Sequence, residues 1–458
     1  MKKRLILLAL AWSALITAQA GGLMTNTNYH IAFDRMMARG ATFDIDAAYS
    51  NPAGLAWGHE GWQLSLNFQK PWQYRDIKLT TPVGSHTYEG KASAPIVPAL
   101  FASYKKDRWA VSTMIGIVGS GGFVEYKEGV PQYNVMVQSV LGAILPQLNQ
   151  LPGIDVPENS YTLDSEMKGK QYIYGWQVNF TYKILDCLSA AVGIRANYYD
   201  GYYRGHVIAN AQNEYGELAK LLLDVDQKGW GFTPMLSVNY HKGPLTLTAR
   251  YEFRTKLNPK NSTNVLDAGL GNGLVAKVAA VPVYGEATLV KIKEALEPQL
   301  AAVKAPYEDG AHTRYDMPAL LSIAAGYEFT PKLRATLEYH FFDDKNAKMA
   351  DDRQEKLTHG THEFLAGIEY DINDKFTISC GGQRTDYGLS DDYQKNTSFA
   401  CDSWSIGLGG AWNINEKIRL NAGYFCSLYS DYDKKTDYGV ETYSRTNNVI
   451  GLGIDYKF

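Results

Sequence analysis

Three arginines, Arg195, Arg250 and Arg334, are the residues best suited to bind an anionic group. Each lies in a segment where polar and apolar residues alternate, so all three are expected on a polar face. An apolar acid that enters a dry pocket needs a cation near its carboxylate, because an unpaired carboxylate loses its hydration there. The three arginines are therefore candidates for binding a carboxylate.

Acidic residues on the same face offer these arginines another role. The alternation places Arg254 and Arg419 on the polar face, together with Glu252, Glu328, Glu338, Glu363 and Glu369. Since the two charges are nearly balanced, we expect most of the arginines to form ion pairs inside the protein. Any single arginine is then more often structural than ligand-binding.

Other chemistries find little support in the chain. His359 and His362 have no acidic or thiol partner at a metal-binding spacing, so we expect no metal site and no cofactor. The glycines between Gly269 and Gly273 lack the strand-then-helix context of a phosphate loop. Ser120 lies among glycines but not in a Gly-x-Ser-x-Gly motif, and no nucleophile is matched to a base, so the chain is not expected to be an enzyme.

The polar face belongs to a series of alternating segments. The C-terminal residues Ile450 to Phe458 alternate up to a final aromatic residue, which is typical of the closing strand of an outer-membrane barrel. Short turns alternate with long connections along the chain, and the short ones should be periplasmic. This rhythm predicts an all-β fold, a transmembrane antiparallel β-barrel of about fourteen strands at residues 61–458 with long external loops.

The N-terminal sixty residues do not alternate. Lys2 to Ala20 combines a basic start, a short apolar stretch and a small-residue cleavage site, which predicts a signal peptide at 1–20 and export to the bacterial outer membrane. Residues 21–60 are predicted to be a hatch inside the barrel.

Net charge of −3 gives no nucleic-acid signal, and a monomer is expected. The four cysteines are interpreted as small apolar residues rather than as partners in disulfide bonds. Cys380 and Cys426 are expected to face lipid, and Cys401 is expected on the opposite face.

Two connections show apolar residues at helical spacing. Gln132 to Leu151 and Ala287 to Val303 are predicted to be helices in external loops. An apolar helix outside the membrane must cover something, either the barrel mouth or an apolar ligand.

The segment Tyr49-Ser50-Asn51-Pro52-Ala53-Gly54-Leu55 resembles the Asn-Pro-Ala motif in the hatch of the FadL/TodX family of outer-membrane transporters. The resemblance extends over the mature chain, through 251–256 and 316–322, to the C-terminal Gly-Leu-Gly-x-x-Tyr-Lys-Phe. It implies passive uptake of hydrophobic molecules, with long-chain fatty acids as the expected ligand and the outer-membrane lipid as a further partner.

The resemblance also implies a route. Ligand would be captured at the external loops and then pass to an inner pocket. That pocket would be lined by the first mature residues, here Gly21, Leu23 and Met24, and by Phe33 further along the hatch. The ligand would leave sideways at a kink in the third strand. The expected gate consists of hatch and third-strand residues: Asn51, Pro52, Ala53, Gly116, Gly119, Gly121 and Gly122. From the residues alone, the same glycines equally fit a strand that simply runs into an external loop.

Other functional classes explain less of the chain. A general diffusion porin accounts for the barrel but not for the hatch. An energised receptor would need a larger plug and more strands. We therefore expect a channel for hydrophobic molecules, with the porin for small polar solutes as the alternative.

Overall fold

A computed structural model describes residues 29–94, 96–156, 161–212 and 215–458 of the 458-residue chain. Eighteen strand segments form one antiparallel sheet. Their bounds are β1 (Gly61–Thr81), β2 (Gly84–Tyr88), β3 (Gly90–Ser93), β4 (Val97–Lys106), β5 (Trp109–Tyr126), β6 (Tyr161–Leu185), β7 (Leu188–Ala211), β8 (Glu217–Lys242), β9 (Leu245–Glu252), β10 (Lys260–Leu270), β11 (Leu320–Thr330), β12 (Leu333–Phe342), β13 (Thr361–Asp371), β14 (Phe376–Asp386), β15 (Ser403–Asn413), β16 (Ile418–Tyr429), β17 (Tyr432–Thr436) and β18 (Gly439–Lys457).

The sheet closes on itself as a barrel of 14 strands, because β1 pairs with β18 along most of its length. Three of the barrel strands are interrupted. The second consists of β2, β3 and β4, the seventh of β9 and β10, and the thirteenth of β16 and β17. The predicted fold class and strand number are confirmed.

Side chains alternate between the two faces of the wall as predicted. On β6, the side chains of Trp176 and Phe180 are exposed on the outer face, whereas Gln177 and Asn179 are buried inside. Outward residues meet lipid and inward residues meet the lumen, so the polar face is the lumen wall. All four cysteines are free, and Cys380 is exposed on the outer face while Cys401 is buried.

Strands β6, β7 and β8 contain 25, 24 and 26 residues. A tilted strand crosses the hydrocarbon core with about ten residues. The additional length therefore extends beyond the membrane on the side of the long connections, where it forms a sheet beneath the external loops.

In the described part of the external loops, the α-helices are α3 (Pro131–Leu148), α4 (Asn272–Ala279) and α5 (Gly285–Lys304). The helices predicted near 132–151 and 287–303 are present.

Helix α4 was not predicted. The statement that no strand-then-helix context surrounds Gly269 to Gly273 was wrong, since β10 leads into α4. A Cβ at Gly271 would lie 2.0 Å from the Glu217 carbonyl oxygen, so this glycine permits close backbone contact. Among the described residues, no helix combines the length and the apolar composition needed to cross a bilayer.

The described part of the N-terminal segment, residues 29–60, lies within the ring of strands. It forms helix α1 (Ile31–Met36), helix α2 (Ala47–Ser50) and a 3-10 helix (Pro52–Trp57). Its backbone and side chains are hydrogen-bonded to inward residues around the barrel. These wall partners include Asn67, Gln69, Asn179, Ser189, Asn239, Glu338 and Glu369.

Charged residues fasten this N-terminal segment to the wall. Arg35 is ion-paired with Glu369, which also accepts from Arg334 at 2.8 Å. Glu338 accepts from the backbone N–H groups of Arg39 and Gly40, at 2.9 and 2.7 Å. The near balance of charges in the sequence is thus accounted for by ion pairs, as predicted.

Candidate functional site

The barrel wall is interrupted between its second and third strands. Strand β4 pairs with β5 only from Leu100↔Ile115 to Lys106↔Trp109, and β3 pairs with β5 only from Gly90↔Tyr126 to Ser93↔Phe123. Among the described residues, 116–122 of β5 have no ladder partner on the second strand. We call this interruption the wall gap.

The third strand bends at the wall gap. Against β6 its register shifts twice, between Ile117 and Gly119 and again between Ser120 and Gly122. Each bulge adds a residue that bends the strand and increases its local twist. Gly122 has φ of 71°, a left-handed conformation that glycine adopts without the steric cost of a Cβ. The predicted kink near 116–122 is therefore present in the backbone.

Apolar side chains pack together at the wall gap. Ala94, Val97 and Ile117 form a small buried cluster, and the rings of Tyr29 and Tyr172 pack against it. Lys70 donates to the carbonyl of Ala94 at 2.9 Å, so this carbonyl remains hydrogen-bonded where the ladder is broken. Backbone groups that face lipid cannot stay unpaired, and this contact meets that requirement at one point of the gap.

The Asn-Pro-Ala segment lies elsewhere on the wall. Asn51 donates to Asn239 on β8 at 2.9 Å, while the carbonyls of Pro52 and Ala53 accept from Thr181 and Ser189. These partners belong to β6, β7 and β8. Asn51 was expected to form the gate together with the third-strand glycines, but its amide is bonded instead to Thr42 and Asn239. At the kink, the N-terminal segment contributes Tyr29, which packs at Ile117.

A small pocket lies behind the kink. We call it the inner pocket. Tyr49 of α2, Val118 of the bulged strand and the ion pair of Arg195 with Glu252 line it. Burial raises the pKa of the Tyr49 hydroxyl above its ordinary value, although the Arg195 charge opposes this, so Tyr49 is neutral. The inner pocket joins the N-terminal segment, the bend and a buried charge pair.

Arg250 approaches the same tyrosine from another side. The guanidinium carbons of Arg250 and Arg195 lie 5.3 and 5.6 Å from the centre of the Tyr49 ring, within cation–π range. Arg250 donates to the Tyr49 carbonyl at 2.5 Å and lies 2.8 Å from Glu252. Its Nε and Nη2 atoms are buried without a hydrogen-bond partner. Of the three predicted arginines, Arg250 is the one with unused donors.

The other predicted residues have structural contacts. Arg334 is bonded to Glu369 and Asp371 on the neighbouring strand. Phe33 packs with Met37, Phe425 and other residues of a small buried cluster on the wall. Gly21, Leu23 and Met24 lie outside the described residues, as does the signal peptide. Within the described ranges, no group of three or more potential metal ligands occurs.

An apolar pocket lies among the external loops. We call it the external pocket. It is lined by α3, the end of α5 and the extensions of β6, β7, β8 and β10, with these side chains: Tyr133, Met167, Val207, Leu221, Leu223, Leu266, Val303 and Tyr307. Glu166 and His206 add polar groups.

Several residues of these sites were not found from the sequence. Tyr29 and Tyr49 are isolated tyrosines in a segment without periodicity, and their neighbours are set by distant strands. Val118 lies in the glycine-rich run, but its inward direction depends on the first bulge. The alternation of β5 fails at this point, which is the one sequence signal for the bulge.

Comparison with known proteins agrees with this architecture. The family model described as an outer membrane protein beta-barrel domain matches residues 296–458. A FadL homologue from Pseudomonas aeruginosa superimposes with a TM-score of 0.66 at 14% identity, over 96% of this chain and 100% of the other. The toluene transporter TodX of Pseudomonas putida gives 0.58 at 13% identity, over 96% and 100%.

A third solved structure, the monoaromatic hydrocarbon channel CymD, gives a TM-score of 0.51 at 11% identity, over 90% of this chain and 93% of the other. Comparison with curated protein sequences gives no match. The resemblance of the sequence to the FadL/TodX family is confirmed at the level of the fold. The protein is an integral β-barrel of the outer membrane.

Proposed function

We propose that this barrel takes up hydrophobic molecules through the outer membrane without energy input. The observation that carries the proposal is the wall gap at 116–122, where β5 is unpaired with the second strand and Tyr29 packs against the apolar cluster of Ala94, Val97 and Ile117. A barrel used only for polar solutes has no need for an interruption that faces lipid. A hydrophobic ligand, in contrast, can leave there directly into the membrane.

In this proposal the ligand passes two binding pockets in turn and then an exit. The external pocket captures the ligand from outside, where its lining is mainly apolar. The inner pocket receives it beside Tyr49 and Val118, and the N-terminal segment controls this step. Release is lateral, through the wall gap. The gate then consists of Tyr29 and the bent stretch Gly116 to Gly122, while Asn51, Pro52 and Ala53 hold the segment on β6 to β8.

The ligand class follows from Arg195, which lines the inner pocket, and from Arg250, which lies against Tyr49 beside it. Arg195 is neutralised by Glu252, which suits an uncharged hydrocarbon like those named for the structural neighbours. Arg250 keeps two buried donors unused, which suits the carboxylate of a long-chain fatty acid. We favour the long-chain acid, because buried donors without a partner are costly unless a ligand satisfies them. Binding of a labelled acid and of the alcohol of equal chain length distinguishes the two classes.

Filling the external pocket should weaken capture. In Leu223→Trp, the larger ring takes the place of part of an apolar ligand. If two methylene groups of the ligand are no longer buried, at about 0.8 kcal/mol each, the affinity of the protein for the ligand falls about tenfold. The measurement is the dissociation constant of a labelled long-chain acid for purified protein.

Leu270→Trp is the matched control for this variant. Leu270 is partly buried and packs against the same apolar cluster, but it does not line the external pocket. Its affinity should remain near that of the parent protein. Equal losses in both variants would mean that the cavity is not the capture site.

The porin alternative is tested by conductance. Residues 29–60 are wedged between opposite walls of the barrel, so a planar bilayer containing the protein should show no steady ion current. Mass spectrometry of lipids bound after purification in mild detergent should detect an elongated apolar molecule. A steady open current with no bound apolar molecule would favour the porin.

A further inference from the structure

The outer face of the wall carries a broad apolar groove distant from the wall gap. It is open towards the lipid and extends over β9 and β11 to β15. A row of outward residues crosses its floor, since Ala325 pairs with Leu337, Leu337 with Ala366, and Ala366 with Gly382. Small side chains at three of these four positions create the depression.

A single cation lies at one end of the groove. Arg384 follows Gly382 on the same face of β14, and its guanidinium carbon lies 5.6 Å from the ring centre of Trp404. Its Nη1 donates to the Ser403 carbonyl at 3.2 Å, and its Nη2 is 3.6 Å from an Asp402 oxygen. Arg384 therefore has an ion pair with Asp402 that is longer than a hydrogen bond, and 28% of its side chain remains exposed.

The depth of Arg384 matches the outer boundary of the bilayer. Arg384 follows Phe376, at the periplasmic end of β14, by eight residues. At about 3.3 Å per residue and a tilt of about 40°, the two differ in height by about 20 Å, close to the ~25 Å apolar band of such barrels. An arginine at this level lies among the headgroups of the outer leaflet, whereas the groove beneath it lies among acyl chains.

We propose that this groove binds a phosphorylated glycolipid of the outer leaflet. One acyl chain lies over Ala325, Ala366 and Gly382, and a phosphate is bound by Arg384 beside Trp404. The occupant follows from the position, since the groove faces lipid along its whole length, and from the charge, since the one cation lies at headgroup level. A binding site for annular lipid is independent of the uptake route proposed above.

The test is native mass spectrometry of the full-length protein in mild detergent, titrated with diphosphorylated lipid A or with its dephosphorylated form. The protein should retain the diphosphorylated lipid about tenfold more strongly, since a charge-assisted hydrogen bond contributes more than the ~1.4 kcal/mol that corresponds to this factor. Arg384→Gln should abolish that preference. Ala366→Leu combined with Gly382→Leu should weaken both lipids.

The groove variant is compatible with the barrel wall. A Cβ at Gly382 would meet nothing closer than the Ser405 carbonyl oxygen at 3.5 Å, so the added side chain projects into the groove. Ala422→Leu, at an exposed outward alanine on β16, is the control and should bind like the parent protein. Arg384→Gln provides a test that needs no change in packing.

Three results would overturn the proposal. The protein could fail to retain lipid A, or all variants could retain it equally. The groove variant could instead abolish a dimer seen for the parent protein, which would identify this face as an interface between two copies.

Discussion

Replacing both Gly119 and Gly122 with valine is expected to reduce uptake of a labelled long-chain acid by intact cells to the background of cells without the protein. Gly122 has φ of 71°, and a left-handed conformation costs a residue with a Cβ about 1–2 kcal/mol. Valine is also among the residues that favour regular strands. The bent stretch should therefore straighten, pair with the second strand and close the wall gap.

Gly243→Val is the control for this straightened variant. Gly243 has φ of 58°, and a Cβ there would meet no atom within 4 Å, so the variant carries the same kind of backbone strain in a periplasmic turn. It should transport normally. The straightened variant should still reach the cell surface and bind ligand at the external pocket. Normal uptake by this variant would place the exit elsewhere, through the periplasmic end of the barrel.

Replacing Glu369 with alanine is expected to lower the free energy of unfolding by about 3–5 kcal/mol, the usual cost of leaving a buried charge without its partner. Glu369 joins Arg35 of the N-terminal segment to Arg334 of the wall. Arg35 is buried, and its side chain also donates a hydrogen bond to Ser379. Thermal unfolding in detergent measures the stability, and ion current in planar bilayers reports whether the segment has moved out of the lumen.

Two further variants show whether the effect arises from the N-terminal segment. Asp371 also pairs with Arg334 but is partly exposed and bonded within the wall, so Asp371→Ala should cost about 1 kcal/mol or less and leave the current unchanged. Arg35→Met combined with Glu369→Met removes both charges and should recover most of the stability. Equal destabilisation by Glu369→Ala and Asp371→Ala would contradict the assigned role of Glu369.

The barrel was predictable from the sequence because its determinants are local. Alternation fixes which side chains face lipid, and turn length fixes the orientation, so strand number, wall polarity and two loop helices were found. Helix α4 was missed, since its few residues follow a glycine-rich stretch that resembles a loop. The signal for the wall gap was the glycine run in the third strand.

The residues around the inner pocket and the kink were less predictable, because their positions depend on contacts between distant parts of the chain. Arg195 was recognised as a lumen residue, but its pairing with Glu252 depends on the relative positions of β7 and β9. The resemblance to known hatches suggested Asn51 at the kink. In the structure, Asn51 is hydrogen-bonded to Asn239 of β8, and Tyr29 packs at the kink. No local sequence pattern encodes which of these two residues lies at the kink.

The central claim is that apolar molecules, and not polar solutes, cross the membrane through this protein. The most direct measurement compares the entry of a labelled long-chain acid and of a small labelled sugar into cells that do or do not carry the protein. The account predicts faster entry of the acid with no change for the sugar. Faster entry of the sugar with no effect on the acid would contradict it.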